Sequence, residues 1–160
     1  MGISGFHLYM ILKDSMYLGK HQLSFENDRR VVVPELFREM FTGGAYVTRG
    51  FEQNLMIMSE TVFQKLYQQA MTFNITNPLA RLLQRLIFGN ASRLEMDASG
   101  HILIPEDLKS FAGLEEVVIL VGQGNYLEVW APAAWGEQNT RLLDVKANSE
   151  RFAQLDLSLH

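Results

Sequence analysis

The chain contains the stretch Glu26-Asn-Asp-Arg-Arg-Val-Val-Val-Pro34 and, 71 residues later, a second version of it, Asp97-Ala-Ser-Gly-His-Ile-Leu-Ile-Pro105. Each version consists of an acid, three loop-forming residues, a cation or titratable group, three aliphatic residues and a proline. An internal repeat constrains the architecture before any other feature of a sequence. Two copies are too few for a solenoid, so we expect two similar modules packed about a pseudo-two-fold axis.

Similarity between the two copies extends beyond these stretches. Leu23 matches Leu94, and Phe37 matches Leu108, at the same offset. One extra loop residue then shifts the offset to 72, and the later pairs are Val47 with Ile119, Gly50 with Gly122, Leu55 with Leu127, Ile57 with Val129, and Phe63 with Trp135. The repeat predicts that paired positions occupy equivalent places in the two modules.

Length and composition are typical of a globular protein. The 160 residues suit one ordinary domain or two small ones. A module of about 45 residues struggles to bury enough apolar surface alone, so we expect the copies to share a core. The absence of cysteine excludes disulfides and thiolate metal sites and is compatible with a reducing cytoplasm. No apolar run approaches the roughly 18 residues of a membrane helix.

Charge is distributed unevenly between the copies. The net charge of −4 argues mildly against a general nucleic-acid binder. Residues 23–50 balance their arginines against acids, whereas residues 94–130 set Lys109 alone against many acids. If one copy meets an anion, the first copy is the better candidate.

Sequence periodicity and turn residues predict the elements. In the first copy we expect strands over 17–25, 30–33, 45–48 and 55–58, and helices over 35–41 and 60–71. The short helix 35–41 should turn Leu36, Phe37 and Met40 inward. In the second copy we expect strands over 93–96, 101–104, 117–121 and 126–130, a helix over 106–112, another from Pro132, and a frayed helical tail.

The middle of the chain predicts a well-capped amphipathic helix. Asn77 suits the N-cap, Pro78 the first helical position, and Gly89 follows the end. Its apolar stripe predicts core or interface packing and consists of Leu79, Leu82, Leu83, Leu86 and Ile87. Arg81 and Arg85 lie on a different face. That face is either simply solvated or belongs to a subunit interface or a DNA-phosphate contact.

The acid and cation of the repeated stretch form the candidate site. A carboxylate on Glu26 could accept hydrogen bonds from Arg30, four residues on, as a charge-assisted pair. Two interpretations stay open: the pair only stabilises the turn, or it orients a guanidinium that reads guanine O6 and N7 in a major groove. Strand alternation places Arg29 on the opposite face from Arg30.

The second copy has weaker site chemistry. His101 replaces the cation, and a neutral imidazole at pH 7 would weaken both ion pairing and phosphate attraction. Asp97-Ala-Ser-Gly100 is also explained as a well-formed turn.

Enzyme motifs are lacking in the sequence. Gly122-Gln-Gly-Asn125 is a hairpin turn without the Lys-Ser/Thr of a phosphate loop. The four histidines show no metal-ligand spacing. We therefore expect no catalytic residues, no cofactor, no metal and no small-molecule substrate.

The pattern resembles the MraZ family of bacterial transcriptional regulators, which are built from two SpoVT/AbrB-type modules. The resemblance runs from Met16 to about Trp135. The segments that carry it are Met16-Tyr-Leu-Gly19, Glu26-x-x-x-Arg30-Val-Val-Val-Pro34, Phe37-Arg38-Glu39, Thr48-Arg49-Gly50, Arg85-Leu-Ile-Phe-Gly-Asn-Ala-Ser92, Asp97-Ala-Ser-Gly100, Ala112-Gly-Leu114, Val121-Gly122 and Glu128-Val-Trp130.

The resemblance implies an α+β, mainly β fold of tandem swapped-hairpin AbrB-like modules with pseudo-two-fold symmetry and intervening helices. It also implies homo-oligomeric rings that bind short direct repeats in double-stranded promoter DNA, upstream of the family's own operon of division and cell-wall genes. An Asp-x-x-x-Arg unit of each module would face the DNA.

This sequence departs from that unit in both copies. The first copy has Glu26 for Asp, with Asp28 and Arg29 where the family tends to have Lys and Gly. The second has His101 for Arg. Loss of glycine at position 29 removes the easiest residue for a positive φ. The predicted DNA-binding residues are Arg30, Arg29, Glu26, Asp97 and His101.

We expect an N-terminal extension over 1–15, modules over 16–63 and 91–135, connecting helices over 64–90 and a tail over 136–160. The predicted function is sequence-specific regulation of transcription by a cytoplasmic, nucleoid-associated homo-oligomer that does not enter a membrane. The alternative is an oligomeric interaction or scaffold module whose DNA surface has decayed, which the acidic second copy favours.

Overall fold

The computed structural model describes residues 16–27 and 29–157. It contains eight strands in those residues, and their bounds are β1 Lys20–Ser24, β2 Arg30–Val32, β3 Ala45–Arg49, β4 Leu55–Ser59, β5 Ser92–Leu94, β6 His101–Leu103, β7 Val117–Gly122 and β8 Leu127–Trp130. The predicted extension over 1–15 lies outside the described residues.

All strand pairs are antiparallel, and they exchange partners between the two copies. One sheet has the order β1-β7-β8-β4-β3-β5, and β2 pairs with β6 in a separate two-stranded ribbon. The first strand of each copy therefore pairs with a hairpin of the other copy. The strand order reads the same when the two copies are interchanged. The predicted α+β fold of swapped modules about a pseudo-two-fold axis is confirmed.

Strand register corrects one part of the predicted alignment. Leu55 pairs with Val129 and Ile57 with Leu127, which confirms their predicted equivalence across the axis. In β3 and β7, however, Val47 corresponds to Leu120 rather than to Ile119: both are buried, whereas Ile119 is half-buried. The registers of β1 with β7 and of β3 with β5 agree only with this shift. Gly50 and Gly122 are therefore not equivalent, and the first hairpin is one residue longer.

The core is shared between the copies, as their small size predicts. Phe37 and its counterpart Leu108 are both almost fully buried in one apolar cluster. The inward residues of the ribbon, Val31 and Ile102, belong to the same cluster. Because each half contributes to one core, neither half has an interior of its own.

The helices of the described residues include the predicted middle helix, which begins at its predicted N-cap, Asn77. They are α1 Glu60–Ala70, α2 Pro78–Ile87, α3 Glu106–Phe111, α4 Pro132–Leu143 and α5 Val145–Phe152, and 3-10 helices cover Glu35–Phe41 and Phe88–Asn90. The Ser59 hydroxyl accepts from the Val62 N–H, and the Asn77 side chain accepts from the Leu79 N–H at 2.9 Å. In the helix 35–41, Phe37 and Met40 are buried, but the inward prediction for Leu36 is wrong because that side chain is exposed.

The apolar stripe of α2 is exposed at two of its five residues, while Leu83 and Leu86 are half-buried. Ile87 is buried, but Leu79 is 70% exposed and Leu82 is 62% exposed. Core packing therefore does not account for these two leucines, because the C-terminal end of the helix is the end that meets the sheet. Packing at an interface between chains remains a prediction.

Across the part of the chain that the structure describes, no helix combines the length and apolar character needed to cross a membrane. The division into modules over 16–63 and 91–135, with connecting and terminal segments, stays a prediction.

Candidate nucleic-acid interface

The β2–β6 ribbon brings the two repeated turns together. Arg30 lies opposite Leu103 and Val32 opposite His101. Because side chains alternate along a strand, these four share one face of the ribbon, while Val31 and Ile102 point into the core. The turns that precede the two strands place Glu26 and Asp97 beside this outer face.

Acids and cations on this face pair across the pseudo-two-fold axis. The Arg30 guanidinium lies 3.8 Å from the Asp97 carboxylate. The His101 Nε2 atom lies 2.5 Å from the Glu26 carboxylate. The axis maps one contact onto the other. The predicted pairing within one turn, Glu26 with Arg30, is therefore replaced by pairing between turns, because the antiparallel ribbon sets each cation against the other module's acid.

The second turn also has contacts of its own. The Asp97 Oδ1 atom accepts from the backbone N–H groups of Ser99 and His101, both at 2.9 Å. The same oxygen lies 3.4 Å from His101 Nδ1. The predicted turn at 97–100 is thus present and is closed by its acid.

Local contacts shift the pKa values of two side chains in this cluster. The His101 backbone N–H, followed by that of Ser99, holds the pKa of Asp97 below its ordinary value. The hydrogen bond to Glu26, reinforced by the charges of Glu26 and Asp97, raises the pKa of His101. The neutral imidazole expected from the sequence at pH 7 is therefore less favoured in the folded chain.

The five predicted residues lie in one region but not in one cluster. Arg29 points away from Arg30 and lies 3.9 Å from Glu106, at the start of α3. Arg30 is half-exposed, and Arg29 is 39% exposed. The structure therefore brings Arg30, Glu26, Asp97 and His101 together and leaves Arg29 at the side of the ribbon, as strand alternation predicts.

Sequence reasoning missed three residues of this surface. Val32 and Leu103 add an apolar strip to the outer face, and Leu103 is 42% exposed. Arg38 donates to the Val33 carbonyl at 3.0 Å and packs against Gly100, where a Cβ would lie 2.5 Å from the guanidinium. The alternation of side chains along β2 and β6 could have identified Val32 and Leu103 from the sequence. Arg38 lies near the second turn only because of the ribbon pairing.

A polar cluster at the central hairpins has a structural explanation. Asn54 is fully buried and donates to Glu128, which also accepts from Gln123 and Trp130. These hydrogen bonds join the ends of the two central hairpins. Among the described residues, no group of three or more His, Asp or Glu side chains is arranged to hold a metal ion.

Two β modules that exchange their first strands and share a central ribbon define a tandem protein of the SpoVT/AbrB type. The family model described as "MraZ protein" matches the chain twice, over residues 16–86 and 87–156. The chain belongs to the MraZ family.

Similar proteins span most of the chain. A protein of Roseiflexus sp. (strain RS-1) is 35% identical over 139 residues, which cover 87% of this chain and 95% of that protein. A protein of Nitrosomonas europaea is 40% identical over 124 residues, which cover 75% of this chain and 84% of that protein. One from Thermomicrobium roseum is 35% identical over 123 residues, 77% of this chain and 87% of that protein. All three carry the name "Transcriptional regulator MraZ".

Proposed function

We propose that this chain is a sequence-specific DNA-binding transcriptional regulator. In this proposal it acts as a homo-oligomeric ring on short direct repeats, upstream of its own operon of division and cell-wall genes. Cytoplasmic, nucleoid-associated action belongs to the same proposal. The names of the similar proteins support the regulatory role.

The observation that carries the proposal is the position of Arg30. Its guanidinium stands half-exposed on the outer face of the ribbon and is restrained by Asp97 at 3.8 Å. A restrained guanidinium loses less conformational freedom when it forms two parallel hydrogen bonds with guanine. Arg29 and Arg38 lie at the sides of the ribbon, where they contact Glu106 and the Val33 carbonyl, and we propose that they contribute to phosphate contacts rather than to base reading.

One such surface contains too few cations for tight binding. Arg30 and His101 face Glu26 and Asp97, so the cluster has little net charge. Several surfaces held in one assembly and matched to tandem DNA repeats gain avidity without new contacts. The proposal of an oligomer on direct repeats follows from this weakness of the single site.

Exposed apolar residues support the oligomer. Leu79 and Leu82 of α2 lie on the surface, and the segment before the helix exposes Met71, Phe73 and Ile75. An exposed apolar patch of this kind typically marks an interaction surface. We propose that a second copy of this chain covers it.

Substitution at Leu82 tests the assembly. Leu82→Glu places a charge in the patch and should reduce the mass measured by light scattering. Affinity for a DNA fragment with several repeats should fall by about 10²-fold or more as avidity is lost. Gln64→Glu, at an exposed position of α1, is the matched control and should change neither quantity. An unchanged mass for Leu82→Glu would place the subunit interface elsewhere.

Binding to the chain's own upstream DNA tests the regulatory proposal. Fluorescence anisotropy at several salt concentrations should show log K falling steeply with log salt. Arg30→Ala should lose about 1–3 kcal/mol of specific binding per engaged subunit and should relax selectivity at one base position.

Arg141→Ala is the matched control for Arg30→Ala. It removes the same charge from an exposed position of α4, away from the ribbon. If Arg30→Ala binds the specific fragment as tightly as this control, Arg30 does not read a base.

The second candidate function is an oligomeric interaction or scaffold module. An open surface recess beside the first turn favours it, because Glu26, Glu115 and Glu116 line the recess with Lys109 as its cation. A scaffold would show no saturable binding to DNA at any salt concentration. The anisotropy experiment therefore separates the two candidates.

A further inference from the structure

His101 has a carboxylate at each ring nitrogen. Nε2 lies 2.5 Å from Glu26, and Nδ1 lies 3.4 Å from Asp97. The side chain is 22% exposed, so protein groups form most of its surroundings. A neutral imidazole has one N–H and can donate to only one carboxylate, whereas the imidazolium donates to both. The geometry thus fits the protonated ring better than the neutral ring.

Among the described residues, the charged groups nearest the ring come from three parts of the chain. Glu26 comes from the loop before β2, Asp97 from the turn before β6, and Arg30 from β2 itself, where it contacts Asp97. Arg38 packs against the Gly100 backbone of the same turn. The Arg29–Glu106 pair at the side of the ribbon is balanced.

One proton decides the charge of this cluster. With His101 protonated, two cations offset the carboxylates of Glu26 and Asp97, and the cluster is neutral. With His101 neutral, the cluster has one uncompensated negative charge beside Arg30. A DNA phosphate backbone is repelled by the second form and not by the first.

We propose that His101 couples DNA binding to a proton: DNA selects the chain with the protonated ring, and binding weakens as pH rises. This inference rests on the proposed DNA-binding function and adds a mode of regulation to the same surface. In a chain with arginine at this position the charge would be permanent. With histidine at this position, the positive charge depends on pH.

The pH window follows from the hydrogen bond to Glu26. That contact raises the pKa of His101 above its ordinary value. The proton is therefore lost at a higher pH than from an ordinary histidine side chain. Linkage of one proton per engaged chain limits the change in affinity to about tenfold per pH unit.

Binding measurements across pH test the proposal. The probe is the chain's own upstream DNA, titrated by anisotropy at constant salt. The pH runs from about 6, near the ordinary pKa of histidine, to about 9, well above it. For the wild type, the dissociation constant should rise with pH, by up to about tenfold per unit for each engaged chain. His101→Arg should bind tightly with a much flatter pH profile, and His101→Gln weakly with a similarly flat one. Circular dichroism should confirm that both variants are folded.

The outcomes separate the two proposals. Saturable binding with the same pH profile in wild type and His101→Arg would overturn this inference and leave the proposed function intact. If neither protein binds at any pH, the proposed function fails and this inference fails with it. Parallel slopes of all three proteins would assign the pH effect to other groups.

A measurement without DNA tests the geometric basis separately. The His101 ring signals in an NMR titration can be assigned by their loss in His101→Gln. Their midpoint should lie above the ordinary histidine value in the wild type and should move down in Glu26→Gln, which removes the charge of the nearer carboxylate. A midpoint that does not respond to Glu26→Gln would overturn the assigned contact.

Discussion

The first turn, residues 26–30, and the second, residues 97–101, close in the same way at the backbone but use their side chains differently. In each, the N–H of the acid donates to the carbonyl of the fifth residue, at 2.9 Å and 3.0 Å. Asp97 then accepts from backbone donors of its own turn, whereas the longer Glu26 reaches the other turn's histidine. The two turns thus share their closing backbone hydrogen bond and differ in the contacts that their acids make.

The two turns also differ in one backbone dihedral. Gly100 has a φ of 86°, in the left-handed region. Arg29 is its counterpart in the first turn, and none of the described non-glycine residues has a positive φ. Even so, the flanking hydrogen bonds are equivalent: Val33 N–H donates to the Gly100 carbonyl and Ile104 N–H to the Arg29 carbonyl, both at 2.8 Å.

The largest difference between the turns is expected in the stability of variants at these two positions. Gly100→Ala should lower the free energy of unfolding by about 1–3 kcal/mol, because alanine is strained at this φ and its Cβ would meet Arg38. Arg29→Ala is the matched change in the first turn and should remain within about 0.5 kcal/mol of the wild type. Urea unfolding measures both. Equal losses of unfolding free energy would mean that the two turns do not differ in the backbone conformation that they require at this position.

A smaller effect should separate the two acids. Asp97→Ala removes the acceptor of two backbone N–H groups, whereas Glu26→Ala removes a contact to one side chain. The melting temperature should therefore fall more for Asp97→Ala. A larger decrease for Glu26→Ala would show that the contact between turns outweighs the contacts within one.

The same comparison has a pH signature with a definite sign. The folded chain holds the pKa of Asp97 below its ordinary value, so its stabilisation is complete above about pH 4 and is lost as pH falls through the folded pKa. The difference in melting temperature between wild type and Asp97→Ala should thus be constant towards neutrality and shrink in acid.

Much of the fold follows from the repeat, because periodicity and turn residues are local signals. The strands around Gly50 and Gly122 and the cap at Asn77 are of this kind. Matching Gly50 to Gly122 nevertheless shifted the alignment of β7 with β3 by one residue. The two glycines meet different neighbours: a Cβ at Gly122 would overlap the Tyr17 backbone, and one at Gly50 the Asn54 side chain. The same residue type served two separate packing needs.

For the candidate site, the sequence supplied four residues that the structure brings together, but not the way in which they pair. Arg30, Glu26, Asp97 and His101 are identified by their place in the repeat. Which acid meets which cation depends on the pairing of β2 with β6, a contact between distant parts of the chain. The uncovered leucines of α2 have a similar origin, since an apolar stripe shows that a helix face seeks a partner without showing where that partner lies.

The exchange of first strands has a consequence for how the molecule holds together. β1 depends on β7, and β5 depends on β3, so either half made alone would leave a hairpin with an open edge. Such a half could complete itself only by capturing another half and would be sensitive to dilution. The covalent connection between the halves, which includes α1 and α2, replaces that encounter with an intramolecular one. A single chain therefore resembles a dimer of two linked halves, and its folding does not require association with a separate molecule.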